Sequence, residues 1–229
     1  MSAVGEHQGV AAADLLCQAC VELLGVDAAA ISLVFDGTNT GTLGASGDRA
    51  RMYDELQFTL GEGPCLESVA TRAPVLAIDL AAEVDGGRWP AYGPALLDYD
   101  IGGVFAMPVL MAGEYLGALD LFRTRPGALG GEHLAGALVA AELAEMPLLD
   151  LLAENLQIAP ADPDSSAWND LNMITRPEVN QAIGMLVAQL EITPTVALLR
   201  LRAHAYTAGR SATEVARDIL ERQLRLERH

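Results

Sequence analysis

Lysine is missing from this sequence, so all 14 strongly basic side chains belong to arginine. Its absence excludes a phosphate-binding loop of the Gly-x-x-x-x-Gly-Lys type, in which the lysine contacts phosphate. Cysteine is rare, with three residues in 229, and an odd number argues against a framework of disulfide bonds. Aromatic residues make up only 5% of the chain, but 51% of it is hydrophobic, which is typical of a folded globular protein.

The chain also lacks a long apolar run. Its longest uncharged apolar stretch, Ile101 to Gly113, is too short to cross a bilayer and contains glycine and proline. Residues Met1 to Val10 have neither the basic stretch nor the apolar core of a signal peptide. We therefore expect a cytoplasmic protein that makes no membrane contact.

Positive charge is scarce as well, and it is concentrated near one end. The formal net charge is −17. The chain from Asn172 onward holds 8 of the 14 arginines and 6 of the 31 acidic residues, a net charge of +2, which leaves −19 for the rest. This asymmetry indicates two modules with different partners. The acidic module should repel nucleic acid, whereas the tail should not.

Hydrophobic periodicity predicts alternating helices and strands in the acidic module. We expect helices at Ala11 to Leu24, after the glycine-rich turn within Leu60 to Ser68, and after Trp89. Strands are expected at 28–35, 40–45, 75–78, 103–110 and 115–122. The tight connection between the last two strands predicts a hairpin, and the whole order predicts an α+β fold with a predominantly antiparallel sheet.

A long helical pattern closes this module, from Glu132 to Asn155. Its leucines fall near a 3.5-residue repeat that is interrupted at Glu145 and Pro147, since proline kinks or breaks a helix. Two interpretations stay open, a last domain helix or a helix that continues as a dimerising coil.

The tail reads as a small all-helical block in which the start of each helix is marked. Capping boxes at Thr175 to Glu178 and Ser211 to Glu214 pair a hydroxyl with a carboxylate three residues later. Thr193-Pro194 opens the middle helix with a capping hydroxyl and a proline at the first helical position. We predict a first domain at 10–152, a linker at 153–172 and a helical domain at 173–227.

The first domain resembles a GAF domain. The resemblance is carried by the order of elements, by the turn Gly61 to Ser68 and by the strand Gly117 to Phe122. It implies a five- or six-stranded antiparallel sheet with a pocket on one face that binds small molecules in many such domains. By position, four apolar or aromatic residues are candidates to line that pocket, although ordinary core packing explains them too: Phe58, Trp89, Tyr92 and Met107. The identity of a ligand or cofactor does not follow from these residues.

Cys65 is a candidate redox residue. It follows a glycine-rich turn at a predicted helix start, where the helix dipole is expected to lower the pKa of a thiol. The alternative is a small buried apolar residue, which is also the interpretation we favour for Cys17 and Cys20. Some GAF-like proteins reduce methionine sulfoxide with cysteines, but the segment Ala91 to Ile101, where the attacking cysteine is expected, contains none. The four histidines show no metal-ligand spacing.

The tail is similar to the ANTAR family of RNA-binding antitermination domains. The matching residues are spread over all three predicted helices: Gln181, Ala182, Gly184, Leu186, Ala197, Leu198, Leu201, Arg202, Ala205, Arg210, Val215 and Ala216. The resemblance implies a dimeric three-helix unit that binds paired stem-loops in nascent RNA, so that a terminator hairpin cannot form. It points to five RNA-binding candidates: Ala182, Gly184, Arg202, Ala205 and Arg210. Taken alone, the arginines would more often belong to a solvated helix face, and the motif match shifts the balance towards RNA for Arg202 and Arg210.

Two departures from the family pattern concern RNA affinity. Ile183 stands where the family usually has lysine, and Gly209 stands where asparagine commonly precedes Arg210. Loss of the lysine removes a cation that could contact phosphate.

We therefore predict a dimeric, non-enzymatic antitermination regulator in which the GAF-like domain senses a small molecule and the tail binds RNA. A movement of the Glu132 to Asn155 helix would pair or release the two tails. The alternative is a GAF-type small-molecule or redox enzyme that uses Cys65, with the tail as a dimeriser. A DNA-binding tail is disfavoured because no helix carries a dense basic stripe.

Overall fold

The computed structural model describes residues 9–35, 37–111, 113–150 and 176–227, and within them five strands form one antiparallel sheet. The strands are β1 (Ala28–Phe35), β2 (Thr38–Ala45), β3 (Val75–Ala77), β4 (Gly103–Met111) and β5 (Glu114–Arg123). Their order across the sheet is β2-β1-β5-β4-β3. The predicted α+β class with an antiparallel sheet is confirmed.

Helices cover both faces of the sheet. They are α1 (Gly9–Leu24), α2 (Asp48–Leu60), α3 (Pro64–Thr71), α4 (Leu80–Asp85), α5 (Tyr92–Leu97) and α6 (Gly131–Leu143). Successive side chains of a strand point to opposite faces, so β5 sends Leu119 and Leu121 towards α1 and α6. It sends Asp120 and Phe122 towards α2 and α3.

The last helix is interrupted, but the break lies at Ala144 and not at Glu145 or Pro147, where it was predicted. Helix α6 ends at Leu143, Ala144 forms a turn, and residues 145–150 are helical again. The predicted continuation to Asn155 and the predicted linker at 153–172 lie outside the described residues.

The tail folds as three helices, α7 (Pro177–Leu190), α8 (Pro194–Ala208) and α9 (Ala212–Leu220). Thr193 caps α8 by accepting a hydrogen bond from the amide of Val196, and Ser211 and Glu214 form the predicted capping box of α9. The start of α7 differs from the prediction, since its N-cap residue is Arg176 in a left-handed conformation, and Thr175 lies outside the described residues.

Two helices, α2 and α4, fall where no helix was predicted. Helix α2 buries Asp54, Gln57 and Thr59 together with Phe58. Polar residues on a buried face interrupt the apolar repeat from which a helix is recognised in a sequence. The same polar residues turn out to build the candidate site.

Among the described residues, no single helix is long and apolar enough to span a membrane. Helices α7 and α8 meet that criterion only when they are taken together as one bent pair, at an angle of 109°.

Candidate ligand site and domain interface

A cluster of buried polar side chains lies between the sheet and α2, and we call it the polar cluster. Its members come from β1, β2, β5, α2 and the residue before α7: Ser32, Asn39, Thr42, Asp54, Gln57, Asp120 and Arg176. Each is at most 8% exposed, and Asp54 and Asp120 are fully buried. Burial of so many polar groups is unfavourable unless they are paired, so their hydrogen bonds decide what this region can do.

Asp54 is fully paired. Its Oδ1 accepts hydrogen bonds from the Ser32 hydroxyl at 2.5 Å and from Asn39 Nδ2 at 2.6 Å. Its Oδ2 accepts from the Thr42 hydroxyl and from Arg176 Nη2, the latter at 3.1 Å. Four donors and one guanidinium charge compensate the loss of water around this carboxylate.

Asp120 is only partly paired. Its Oδ2 lies 2.7 Å from the Ser32 hydroxyl and 2.8 Å from Gln57 Nε2, whereas its buried Oδ1 has no hydrogen-bond partner among the described residues. Burial raises the pKa of Asp120 to about 8, and the Asp54 charge adds to this. Because Ser32 has one hydroxyl proton to donate, a protonated Asp120 allows Ser32 to donate to Asp54 and accept from Asp120.

The glycine-rich turn connects this cluster to α3. Gln57 Oε1 accepts a hydrogen bond from the backbone amide of Cys65 at 2.9 Å. A Cβ at Gly63 would lie 2.4 Å from that oxygen, and Gly63 has a φ of 141°. Only glycine suits such a position, so the turn holds Gln57 between the start of α3 and Asp120.

Arg176 brings the helical domain into the polar cluster. Its Nη1 donates to Asn39 Oδ1 at 3.0 Å, and its Nε donates to Glu55 Oε2 at 2.8 Å, in addition to the bond to Asp54. Three acceptors from the first domain therefore surround one guanidinium that belongs to the second.

Phe58 lies under two arginines of the helical domain. The Cζ atoms of Arg176 and Arg202 lie 4.3 and 4.7 Å from its ring centroid, within the range of cation–π contact. Burial and the nearby Arg176 charge lower the pKa of Arg202 to about 10. Nε and Nη2 of Arg202 are buried with no hydrogen-bond partner among the described residues, so this contact is poorly compensated.

The start of α9 also contacts α2. The amide of Ala212 donates to the Thr59 hydroxyl at 3.0 Å, and the Thr213 hydroxyl donates to Glu55 Oε1 at 2.7 Å. Glu55 thus lies at the positive end of a helix while it also binds Arg176. The contact between the domains is built mainly on one helix of the first domain.

A cavity of about 280 Å³ opens beside Arg176 at this interface. Its lining comes from both domains: Thr38, Asn39, Thr40, Phe58, Arg176, Val179, Asn180, Ile183 and Leu198. The cavity borders the guanidinium and two groups that hold it, Asn39 and Phe58.

The four residues predicted to line one pocket lie in three different places. Trp89 and Tyr92 pack together on the α2 side of the sheet, with their ring centroids 6.4 Å apart. Met107 belongs to the opposite face, beneath α1 and α6. Phe58 points outward from α2 into the helical domain. Two of the four adjoin the polar cluster: Phe58 contacts Arg176, and Tyr92 is buried on the same side of the sheet as Cys65. Burial raises the pKa of the Tyr92 hydroxyl well above its ordinary value, and Asp120, Cys65 and Asp54 add to this.

The expectation that the helix dipole lowers the pKa of Cys65 is wrong. Cys65 does lie in the first turn of α3, but it is fully buried. Burial raises the pKa of its thiol well above the ordinary value, and the Asp120 and Asp54 charges add to this. Cys17 and Cys20 are buried in the α1 side of the core, as the alternative interpretation predicted.

A metal ion is poorly suited to this region. Ligand atoms of Asp54, Cys65 and Asp120 lie within 4.8 Å of one another. However, Asp54 already accepts four hydrogen bonds, the thiol holds its proton, and Arg176 places a positive charge beside them.

The five predicted RNA-binding residues differ in how far the structure exposes them. Ala182 and Ala205 are fully buried in the core of the helical domain. Gly184 is exposed, and a Cβ there would meet nothing within 4 Å among the described residues. Arg210 is exposed and paired with Asp218, whereas Arg202 is covered by Phe58.

The central residues of the site, Asp54, Asp120 and Arg176, were not predicted as site residues. One signal was available for Asp120, since it is a charged residue in the apolar strand pattern from Gly117 to Phe122. A charge on the buried face of a strand indicates a paired or functional group. No comparable signal marks Arg176, which meets the cluster only through the packing of the two domains.

The sheet with helices on both faces, followed by a three-helix unit, defines a two-domain protein with an α+β first domain and an all-helical second domain. The chain belongs to the GAF domain family, whose model matches residues 11–146, and an ANTAR domain model matches residues 172–220. This is the GAF-ANTAR architecture that the sequence resemblance predicts.

A solved structure supports the fold of the first domain. The GAF domain of a phosphoenolpyruvate-protein phosphotransferase from Coxiella burnetii is 18% identical, with a TM-score of 0.50 over 68% of this chain and 90% of that one. The type II free methionine-R-sulfoxide reductase from Thermoplasma acidophilum is 19% identical, with a TM-score of 0.46 over 59% of this chain and 88% of that one. At such identities the likeness concerns the fold alone. No curated protein matches the chain.

Proposed function

We propose that this protein is a signal-responsive transcription antitermination regulator. The ANTAR domain binds stem-loops in nascent RNA, and the GAF domain controls whether it can do so. The observation that carries the proposal is the contact of Arg202, a predicted RNA-binding residue, with Phe58 of the GAF domain, in which two guanidinium nitrogen atoms of Arg202 are buried.

The contact of Arg202 with Phe58 supports control by occlusion. RNA loops are read by hydrogen bonding and by stacking on planar groups such as guanidinium. Arg202 cannot stack on a base while its guanidinium lies on Phe58 with two nitrogen atoms buried. The docked arrangement is therefore the form that withholds Arg202 from RNA, and undocking exposes it.

A homodimer in the cytoplasm is part of the proposal. Several large apolar side chains are exposed along α6 and the helical segment after it: Leu138, Val139, Leu143, Met146 and Leu149. Contiguous exposed apolar residues of this kind are typical of a protein interface. A second copy on this face would place two ANTAR domains on one RNA and raise their effective concentration.

A non-enzymatic role is also part of the proposal. The rival redox function needs a reactive thiolate at Cys65. Burial and the raised pKa of that thiol both oppose it.

The test is to sequence RNA that is crosslinked to the protein in its native cells. Leader regions with two adjacent stem-loops should be enriched with the wild-type chain. Phe58→Ala removes the ring that holds both arginines, so recovery of these RNAs should rise about ten-fold, as expected when about 1.4 kcal/mol of docking energy is lost. Arg202→Ala should abolish the enrichment.

Phe35→Ala is the matched control because Phe35 is 70% exposed and lies at the end of β1, and it should leave recovery unchanged. Equal RNA recovery from wild type, Phe58→Ala and Arg202→Ala would refute both the role of Arg202 and its occlusion.

A further inference from the structure

We propose that the polar cluster is a binding site for small cations of the guanidinium or amidinium type, and that Arg176 is a tethered occupant which such a ligand displaces. The consequence for RNA rests on the proposed function, because displacement of Arg176 would free the ANTAR domain. Binding of the cation itself does not depend on that function.

Charge selects the class of ligand. Asp54 and Glu55 both contact the guanidinium of Arg176, and Asp120 lies behind them as a further ionisable group. An anion or a neutral molecule in place of Arg176 would leave the buried Asp54 carboxylate without a counter-charge, which is strongly unfavourable. Only a cation can take this position without that penalty.

Geometry narrows the class further. The three acceptors, Asp54 Oδ2, Asn39 Oδ1 and Glu55 Oε2, bind three different nitrogen atoms of one planar group, and the Phe58 ring lies against the plane. A guanidinium or amidinium presents several N–H donors in a flat fork, which matches this arrangement. A spherical or fully methylated ammonium lacks the fork or the donors.

Two buried polar atoms indicate that the site can form more hydrogen bonds than those that it forms with Arg176. Among the described residues, Asp120 Oδ1 and the Tyr92 hydroxyl are buried with no hydrogen-bond partner. Asp120 and Tyr92 are each fully buried, and both lie on the α2 side of the sheet, where Asp120 is hydrogen-bonded to Gln57 and Tyr92 belongs to the same apolar core as Cys65. Unpaired buried polar groups are rare in native proteins and call for a partner. A ligand with an additional hydrogen-bond donor would supply one.

The ligand has a route to the site. The cavity of about 280 Å³ at the domain interface is bordered by Asn39, Phe58 and Arg176 itself. This volume is near the lower end of the range for small-molecule sites in proteins. A small cation in the cavity would therefore lie beside two of the groups that hold Arg176.

The tethered occupant is held in an unfavourable conformation. Arg176 has φ 48° and ψ 64°, a left-handed conformation that residues with a Cβ seldom adopt. The neighbouring Arg202 is desolvated and repelled by the Arg176 charge. Both features weaken the docked state, so a free ligand without them can compete.

The experiment measures binding of methylguanidinium to the full chain by isothermal titration calorimetry. Arg176→Ala empties the site, so this variant should bind methylguanidinium at least about ten-fold more tightly than wild type, in which the tethered side chain competes at a high effective concentration. N-methylurea, a neutral molecule of similar shape, should bind to neither protein. Adding Asp54→Asn to Arg176→Ala should abolish the binding.

A second measurement on the wild-type chain decides the matter if Arg176→Ala does not fold. Saturating methylguanidinium should increase amide hydrogen exchange at Ala212 and Thr213, whose backbone amides donate to Thr59 and Glu55 across the interface. Unchanged exchange would overturn displacement. Equal affinity for wild type and Arg176→Ala, or equal binding of N-methylurea, would overturn the site.

These readouts contain no RNA, so the two proposals can fail separately. Binding and undocking without recovery of leader RNA would leave the cation site standing and refute the antitermination function. Recovery of leader RNA without methylguanidinium binding would support the antitermination function and refute the cation site.

Discussion

The two faces of the GAF sheet are built on different principles. The face beneath α1 and α6 is apolar, with Ile31, Met107, Leu119 and Leu121 fully or almost fully buried. The face beneath α2 and α3 contains the polar cluster, including the two carboxylates of Asp54 and Asp120. The first arrangement stabilises the domain by burying apolar surface. The second is less stabilising because buried polar groups lose their hydration, but these groups can form hydrogen bonds and ion pairs with a charged ligand.

The largest expected effect tests the apolar face. Leu121→Ala removes a fully buried side chain from β5 and should lower the free energy of unfolding by about 2–5 kcal/mol. The measurement is urea unfolding at several pH values, and the loss should be the same at each. Leu110→Ala, at a position 45% exposed, is the control and should change stability by about 0.5 kcal/mol or less. A loss as small as that of the control would mean that this face does not stabilise the domain.

The polar face should be sensitive to pH through Asp120. Its pKa of about 8 in the folded protein exceeds the ordinary 3.8, so the folded state binds the proton more tightly than the unfolded state. The contribution of Asp120 to stability should therefore be fully present below the ordinary pKa of 3.8 and should be lost as the pH rises towards 8. Asp120→Asn keeps the acceptor for Gln57 without the charge, so wild type should lose about 2–3 kcal/mol more than this variant between pH 6 and pH 8.

Urea unfolding of the two proteins at pH 6 and pH 8 checks this, with Leu121→Ala as a variant that retains Asp120. Parallel pH profiles for wild type and Asp120→Asn would show that the carboxyl group titrates normally. The stability of the polar face would then depend on pH no more than that of the apolar face.

The smallest expected difference between the two faces concerns their thiols, which should be equally unreactive. Cys17 on the apolar face and Cys65 on the polar face are fully buried, and burial raises the pKa of both. The measurement uses variants whose single cysteine is Cys17 or Cys65. In the folded protein each thiol should react with Ellman's reagent at least about 100-fold more slowly than in the protein unfolded in urea, because the reaction needs local opening of the structure. Fast labelling of Cys65 alone would revive the redox alternative.

Much of the fold was predictable because it depends on residues that are close in sequence. Ser211 and Glu214 form their capping box, and Thr193 caps α8. The hairpin of β4 and β5 follows from two largely apolar runs that are joined by a tight connection. Helix α2 was not predicted, since Asp54 and Gln57 occupy its buried face and interrupt the apolar pattern.

The candidate site was predictable only in part. Tyr92 does lie near the polar cluster, but Met107 is on the other face and Phe58 belongs to the domain interface. Side chains alternate along β4, so Met107 and Ala106 lie on different faces of the sheet. The sequence alone does not indicate which of the two faces carries the polar groups.

The sequence by itself determined the two-domain order, the antiparallel sheet and the starts of α8 and α9, because local patterns and caps are set by neighbouring residues. Only the tertiary structure decided that Arg176 would lie in the polar cluster and that Arg202 would lie on Phe58. These contacts join side chains far apart in the chain, and they form only after α2 has packed on the sheet and the helical domain has docked on α2.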